Sequence, residues 1–186
     1  GEAPFDRRMR ENAAAKRRIA KAAAEGIADG DALMFDTGTT TSFLARELLG
    51  HRRLTVVTNS SDIARTLATV NGNRVFMAGG ELRGDSGAAL GAAALEFIRP
   101  FAVRHAIVSA GAADAGGVLD FDLQEAEFAR AVLSCGERRI VVCDASKYVP
   151  ADAPFNKDLT KAIESVGDVL ITPEKKLTWK EPMKRL

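Results

Sequence analysis

A run of small and hydroxylated residues follows the first apolar segment of the chain. The segment ends at Asp36, and the run consists of Thr37, Gly38, Thr39, Thr40 and Thr41. Hydroxyls and backbone N–H groups at the start of a helix can hold a phosphate or a carboxylate. The run is neither a Walker loop nor a dinucleotide-binding G-x-G-x-x-G motif. Its alternative interpretation is an ordinary strand-to-helix turn in which one threonine caps the helix.

Small or polar residues also follow the next two predicted strands. Thr58 and Asn59 end the second strand, and Gly79 and Gly80 end the third. Paired glycines allow a backbone to approach a ligand or a neighbouring loop closely. Ligands of open parallel sheets bind at the carboxyl ends of the strands. The repetition therefore favours an anion site at one edge of the sheet.

An anion site of this kind needs a full positive charge. A helix terminus alone contributes only about 0.3 to 1 kcal/mol to the binding of an exposed anion. Lys147 stands just beyond the fifth predicted strand, and Arg83 follows the paired glycines. We expect both to form charge-assisted hydrogen bonds with a phosphate. A solvated surface side chain is the alternative for Lys147.

Three carboxylates accompany these groups. Asp36, Asp122 and Glu125 do not suit a phosphate, because like charges repel, but they accept hydrogen bonds from sugar hydroxyls. Asp122 and Glu125 also stand at the predicted start of a helix, so helix capping remains open for both. Carboxylates and lysine with shifted pKa values also act as acids and bases. A sugar-phosphate isomerase or deaminase is therefore the alternative function.

Composition excludes several classes of protein. Lys plus Arg total 26 against 25 Asp plus Glu, so no overall charge excess favours nucleic acid. The basic residues near the N-terminus are interpreted as a solvated helix face. Cys135, Cys143, His51 and His105 have no metal-ligand spacing, so neither a metal nor a cofactor is expected. The absence of a long apolar run predicts a cytoplasmic protein that does not enter a membrane.

Alternating strand and helix patterns predict one domain over residues 1–186. Strands are expected at 32–35, 53–58, 74–78, 105–110, 139–143 and 168–172. Helices are expected at 6–29, from the threonine run to about residue 49, and at 61–70, 92–97, 123–134 and 155–165. A loop is expected at 112–122. This order predicts a three-layer α/β/α sandwich with a mainly parallel sheet.

As an ordered set, these motifs resemble the C-terminal effector domain of the DeoR family of bacterial transcriptional regulators. The matching runs are Phe5 with Arg7, Lys16 with Ile19 and Ala20, residues 36–41, 57–60 and 79–83, Asp122 with Glu125 and Ala126, and residues 144–147. The resemblance covers nearly the whole chain. It implies a fold related to ribose-5-phosphate isomerase and CoA transferases, and a non-enzymatic repressor that senses a phosphorylated sugar.

The resemblance also carries expectations about partners. Full-length family members have an N-terminal winged helix-turn-helix, for which this chain has no room before Asp6. It therefore implies either an excised sensor domain, which the first residues favour, or a stand-alone relative; a homo-oligomer is expected, with DNA contacted only through the missing domain. A pure oligomerisation module, with a pocket that binds nothing, is a third interpretation.

Overall fold

A seven-stranded sheet forms the centre of the fold. The computed structural model describes residues 3–114, 117–120, 122–147, 160–164, 167–172 and 175–179. In spatial order the strands are β10 (Lys175–Trp179), β9 (Gly167–Thr172), β7 (Gly136–Val142), β4 (Val103–Ser109), β1 (Ala32–Phe35), β2 (Thr55–Thr58) and β3 (Arg74–Met77). All neighbouring strands are parallel except β10, which is antiparallel to β9. The six strands predicted from the sequence are thus confirmed, with ends shifted by at most three residues.

Helices cover both faces of this sheet, which confirms the predicted three layers. The helices are α1 (Phe5–Arg10), α2 (Ala13–Ala24), α3 (Thr39–Glu47), α4 (Ser61–Ala68), α5 (Ala92–Ile98) and α6 (Leu123–Ser134), with short 3-10 turns at Leu48–Gly50 and Ala145–Lys147. Side chains alternate along a strand, so Leu33 and Phe35 pack with α2, α3 and α4, whereas Met34 packs with α5 and α6. No helix in the described part of the chain has both the length and the apolar character needed to span a bilayer.

The predicted helix over residues 6–29 is wrong as a single element. Asn12 adopts a left-handed backbone conformation, with φ 53° and ψ 30°, and separates α1 from α2. Asparagine tolerates this region better than most residues. Its side-chain Nδ2 also donates hydrogen bonds to the Ser146 hydroxyl at 3.2 Å and to Asp144 Oδ1 at 3.4 Å. These bonds to a distant loop are invisible to local sequence patterns.

A second, antiparallel sheet replaces the predicted loop at 112–122. It contains β5 (Ala112–Asp114), β6 (Gly117–Asp120) and β8 (Thr160–Glu164), with β6 in the middle. The helix predicted over 155–165 is therefore wrong at 160–164, and residues 155–159 lie outside the described residues. Pairing with β6 outweighs the helix preference of the Lys, Ala and Glu in this segment.

The order of the strands creates a crevice beside β1. From β1 the chain continues to β2 and β3 on one side, while β4 pairs with the other side of β1. In α/β sheets, ligands bind where the direction of strand succession reverses in this way. The crevice therefore lies at the carboxyl ends of β1 and β4, with the end of β7 next to it.

Candidate ligand-binding site

Two cavities with a common wall occupy this crevice. Arg8, Ser109 and Ala110 line both of them. The first, named here the basic cavity, is also lined by Lys16 and Lys147, the helix-start residues Thr39 and Thr40, and Glu11, Asn12, Cys143, Asp144 and Ser146. The second, named the acidic cavity, is also lined by Thr37, Ser86, Gly111, Asp120 and Glu125. The two cavities differ in the sign of the net charge of their lining residues, and Arg8 belongs to the wall that they share.

The start of α3 forms one wall of the basic cavity. The first N–H groups of a helix have no partner within the helix, and Gly38 has no side chain with which to cap them. The Thr41 hydroxyl is fully buried and donates to the Gly38 carbonyl oxygen at 3.1 Å, so it supports the turn itself. Thr39 and Thr40 face the cavity. The helix start therefore offers donors and a positive dipole end to an anion.

Lys16 is a buried cation in the wall of the basic cavity. Its side chain belongs to a residue only 3% exposed, and Nζ donates to the Arg8 carbonyl oxygen at 2.5 Å. Burial lowers the pKa of Lys16, although the neighbouring Asp144 carboxylate opposes that shift. An anion in the cavity would favour the charged form of Lys16. The interpretation of the N-terminal basic cluster as a solvated face is therefore wrong for Lys16.

Lys147 reaches the same cavity from the loop after β7. Its backbone N–H donates to the Asp144 carbonyl oxygen at 3.0 Å. The Asp144 carboxylate in turn accepts hydrogen bonds from the Ser146 N–H at 2.9 Å and from the Ser146 hydroxyl. These bonds fold the loop into a 3-10 turn, which positions Lys147 in the cavity wall.

Asp36 lies behind the site, and its side chain lines neither cavity. Its Oδ1 accepts a hydrogen bond from the Ser109 N–H at 3.0 Å. Burial raises the pKa of Asp36 well above its usual range, and although the Ser109 N–H opposes this shift, the Asp120 and Glu125 carboxylates add to it. The carboxyl group is therefore a structural link between β1 and β4 at the base of the crevice.

The acidic cavity combines carboxylates with hydroxyls. Asp120 from β6 and Glu125 from α6 supply the negative charge. Thr37 lines the same cavity, and its hydroxyl donates to Asn59 Oδ1 at 3.0 Å. Such a wall suits hydroxyl donors of a ligand, because carboxylate oxygens only accept hydrogen bonds when ionised.

Two of the predicted residues lie away from both cavities. Arg83 donates to Asp122 Oδ2 at 2.9 Å and to Gln124 Oε1 at 2.8 Å, beside a separate open groove. The hydrogen bond that Arg83 donates to the Asp122 carboxylate is the main reason that the pKa of Arg83 is raised. Asp122 also caps α6, accepting from the Gln124 and Glu125 N–H groups. Capping is therefore the observed role of Asp122.

The strand ends of β2 and β3 also lie outside the cavities. The Thr58 hydroxyl oxygen accepts from the Ser60 N–H at 3.0 Å, and Asn59 Nδ2 donates to the Ala89 carbonyl oxygen at 2.9 Å. Gly79 and Gly80 belong to the turn after β3, where Gly80 has φ 138°. Because β2 and β3 lie beyond β1 from β4, these residues do not line the cavities, and of them Asn59 contacts Thr37.

Several cavity residues were missed at the sequence level, namely Arg8, Glu11, Asn12, Lys16, Ser86, Ser109, Asp120, Asp144 and Ser146. Asp144 and Ser146 belong to the matched run 144–147 but were not assigned to the site, and Lys16 had a further signal. Lys16 shares the helical spacing of the buried residues Ile19, Ala20 and Ala23, so it falls on the apolar face of α2. Asp120 was missed because β6, the strand that carries it, was predicted as a loop.

The histidine side chains interact with groups of the fold, and the Cys143 thiol is buried. The His105 ring is buried and its Nε2 lies 2.8 Å from Asp31 Oδ2, whereas His51 Nε2 lies 3.0 Å from the Ile27 carbonyl oxygen. Burial raises the pKa of Cys143 to about 12, which keeps this cavity-wall thiol protonated. Among the described residues, no group of three or more His, Cys, Asp or Glu side chains is arranged to hold a metal ion.

Known proteins with a related fold include sugar-phosphate isomerases. Ribose 5-phosphate isomerase A from Neisseria gonorrhoeae superposes with a TM-score of 0.53 and 20% identity, over 75% of this chain and 56% of that protein. The eIF2B beta subunit from Chaetomium thermophilum gives a TM-score of 0.61 and 20% identity, over 88% of this chain and 52% of that subunit. At these identities the similarity establishes the α/β fold only.

Sequence comparison points to transcriptional repressors. The glycerol-3-phosphate regulon repressor of Escherichia coli (strain K12) is 38% identical over 134 residues, covering 72% of this chain and 53% of that repressor. The transcriptional repressor AccR of Agrobacterium fabrum is 34% identical over 163 residues, covering 87% of this chain and 61% of AccR. The chain thus spans little more than half the length of these curated relatives. The family model described as the DeoR C terminal sensor domain matches residues 11–156, and the chain belongs to that family.

Proposed function

We propose that this chain is a sensor domain for a phosphorylated sugar or polyol, with the phosphate in the basic cavity and the hydroxylated end in the acidic cavity. The supporting observation is the pair of oppositely charged cavities that meet at Arg8. A ligand with an anion at one end and hydroxyl donors at the other matches this arrangement. Neither inorganic phosphate nor a free sugar would use both cavities.

The phosphate would take its charge-assisted bonds from Lys16 and Lys147. The N–H groups at the start of α3 and the hydroxyls of Thr39 and Thr40 would supply further donors. At the other end, Asp120 and Glu125 would accept hydrogen bonds from ligand hydroxyls, and Thr37 and Ser86 would add neutral contacts. Of the residues predicted from the sequence, this proposal retains Thr37, Thr39, Thr40, Lys147 and Glu125 as contacts. It assigns supporting roles to Asp36, Gly38, Thr41, Thr58, Asn59, Gly79, Gly80, Arg83 and Asp122.

The cellular role in this proposal is based on similarity to named repressors. One is named for the glycerol-3-phosphate regulon, and another, from Staphylococcus aureus, for the lactose phosphotransferase system. By similarity, residues 1–186 would form one sensor domain of a cytoplasmic, homo-oligomeric regulator. A separate DNA-binding domain would contact DNA. Ligand changes operator affinity only if it binds one arrangement of the domains better than another, and coupling of about 1 to 3 kcal/mol is typical.

A calorimetric and thermal-shift comparison tests this function. The chain is titrated with sn-glycerol 3-phosphate and ribose 5-phosphate, and separately with glycerol, ribose and inorganic phosphate. A true effector at 100 times its Kd adds about 2.7 kcal/mol to the free energy of unfolding. Lys147→Ala should abolish this gain, whereas Lys21→Ala, an exposed lysine of α2 outside both cavities, should retain it. Failure of every phosphorylated compound to stabilise the chain would contradict the proposal.

An isomerase-like enzyme is the second candidate, because carboxylates lie beside the proposed phosphate position. Asp36, Asp120 and Glu125 are close enough for the last two to raise the pKa of the first. An enzyme of this kind would convert ribose 5-phosphate or an amino-sugar phosphate catalytically, and Glu125→Gln would abolish turnover. Binding without turnover would support the sensor.

A further inference from the structure

The helix α1 forms part of the site but packs only shallowly on the rest of the domain. None of its residues is fully buried, and Met9 is only partly buried against the core formed by α2 and α3. Elements with few buried apolar contacts open at low free-energy cost. The helix nevertheless contributes Arg8, the charged residue that lines both cavities among those the structure describes.

Three further hydrogen bonds connect this helix, or the bend that follows it, to the walls of the basic cavity. The Arg8 carbonyl oxygen accepts from Lys16 Nζ at 2.5 Å. At the bend between α1 and α2, Asn12 donates to Asp144 and Ser146, which belong to the loop that carries Lys147. Both α1, through Arg8, and the bend, through Asn12, are therefore bonded to residues that line the basic cavity.

We propose that α1 closes the site as a movable wall, that Arg8 contacts the ligand, and that Asn12 is the hinge, so that ligand occupancy fixes α1 on the domain. This inference rests on the proposed function, because it requires an anionic ligand in the basic cavity. Residues 5–10 lie before the range matched by the family model, which begins at residue 11. Under this proposal, α1 would connect the bound ligand to residues on the N-terminal side of the matched range.

Hydrogen–deuterium exchange on the whole chain tests the inference, with sn-glycerol 3-phosphate and ribose 5-phosphate as probes. Binding and helix opening are linked, so a saturating probe should slow exchange in α1, and Arg8→Ala should weaken the Kd and reduce that slowing. A charge-assisted bond predicts about a tenfold weakening of the Kd. The informative amides are those of Arg8 and Glu11, which donate to the carbonyl oxygens of Pro4 and Arg7.

Matched variants separate this role from general effects of charge and folding. Arg10→Ala removes an exposed arginine from the same helix, outside both cavities, and should leave the Kd and the exchange unchanged. Asn12→Gly keeps access to the left-handed backbone but loses the side-chain bonds, so α1 should exchange faster in the ligand-free chain. Unchanged exchange in Asn12→Gly would overturn the hinge role.

The outcomes for the proposed function and for this inference are distinguishable. If a probe binds, but α1 exchanges at its ligand-free rate and Arg8→Ala leaves the Kd within about twofold, the inference is overturned and the sensor function stands. If no probe binds in calorimetry, the proposed function fails and the inference fails with it. The exchange measurement on the wild-type chain requires no variant to fold.

Discussion

Gly38 and Ser109 approach so closely that a β-carbon on Gly38 would lie 1.9 Å from the Ser109 hydroxyl oxygen and 2.5 Å from its β-carbon. The backbone of Gly38 is extended, with φ −171°, so any residue can adopt its conformation. Lack of space, and not backbone strain, therefore requires glycine here. The contact brings the start of α3 against the end of β4, where Ser109 also holds Asp36.

Gly38→Ala should destabilise the chain by about 1 to 3 kcal/mol, the usual cost of overpacking a filled site. Thermal unfolding measures this change. Gly50→Ala is the matched control, because a β-carbon at Gly50 meets nothing within 4 Å. The double variant Gly38→Ala with Ser109→Gly should recover most of the loss, since it removes both atoms that clash. Simple additivity of the two single changes would contradict the steric explanation.

Asp36→Asn should change how stability depends on pH. The raised pKa of Asp36 means that, above the unfolded-state value of about 3.9, the folded chain keeps a proton that the unfolded chain releases. The wild type therefore loses stability from this group as the pH rises from about 4 toward the folded-state pKa. The asparagine variant retains an acceptor for the Ser109 N–H, and it does not lose stability in this way as the pH rises.

Thermal melts between pH 4 and 8 measure the effect. The Tm of Asp36→Asn relative to that of the wild type should rise with pH across this window. Asp85→Asn, which changes an exposed carboxylate, serves as the control and should follow the wild type. A constant difference in Tm between Asp36→Asn and the wild type at all pH values would show that Asp36 ionises normally in the folded chain.

Lys16→Met should separate ligand binding from stability. Replacing a buried charge by an apolar side chain of similar length is often neutral, since the desolvation cost disappears with the charge. Because the variant loses the bond to the Arg8 carbonyl oxygen, its free energy of unfolding should fall by about 1 kcal/mol. The stabilisation by sugar phosphate, measured by thermal shift, should vanish. Large destabilisation with unaltered ligand binding would assign Lys16 a purely structural role.

Arg83→Ala tests whether this arginine contacts the ligand. Its ion pair with Asp122 is about one-third exposed on both sides, so its loss should cost only about 0.2 to 1 kcal/mol. Sugar-phosphate affinity, measured by calorimetry, should stay near the wild-type value. Asp122→Ala should lower the free energy of unfolding by about 1 kcal/mol more than Arg83→Ala does, because it also removes the cap of α6. Loss of phosphate binding in Arg83→Ala would restore the prediction made from the sequence.

The sequence allowed the fold to be predicted further than the site. Apolar runs and helical spacing are local signals, so β1 and α6 were predicted with their observed ends. The order of strands in the sheet is not local. Small or polar residues follow each of β1, β2 and β3, but of these three strands only β1 pairs with β4. This placement brings Thr37 to the cavities and leaves Thr58 outside them.

The charged groups of the site show the same limit. Lys147 follows a strand and was recognised by that position. Arg8 and Lys16 belong to a helical segment whose many basic residues resemble a solvated face. The bend at Asn12, stabilised by a loop more than a hundred residues later, turns that segment toward the crevice. The position of Lys16 on an apolar stripe was the only local sign of its burial that we identified.

The great distance along the chain between Arg8 and Lys147 has a consequence for biosynthesis. Strands β1, β2 and β3 pair with near neighbours in sequence and can associate early, whereas β4 and β7 complete the crevice later. Pairing between distant segments is slow, because loop closure must precede the contacts that reward it. If the proposed function holds, a nascent chain completes the basic cavity only after residue 147 has emerged from the ribosome. Metabolite binding during synthesis would therefore follow the pairing of β1 with β4 and of β4 with β7.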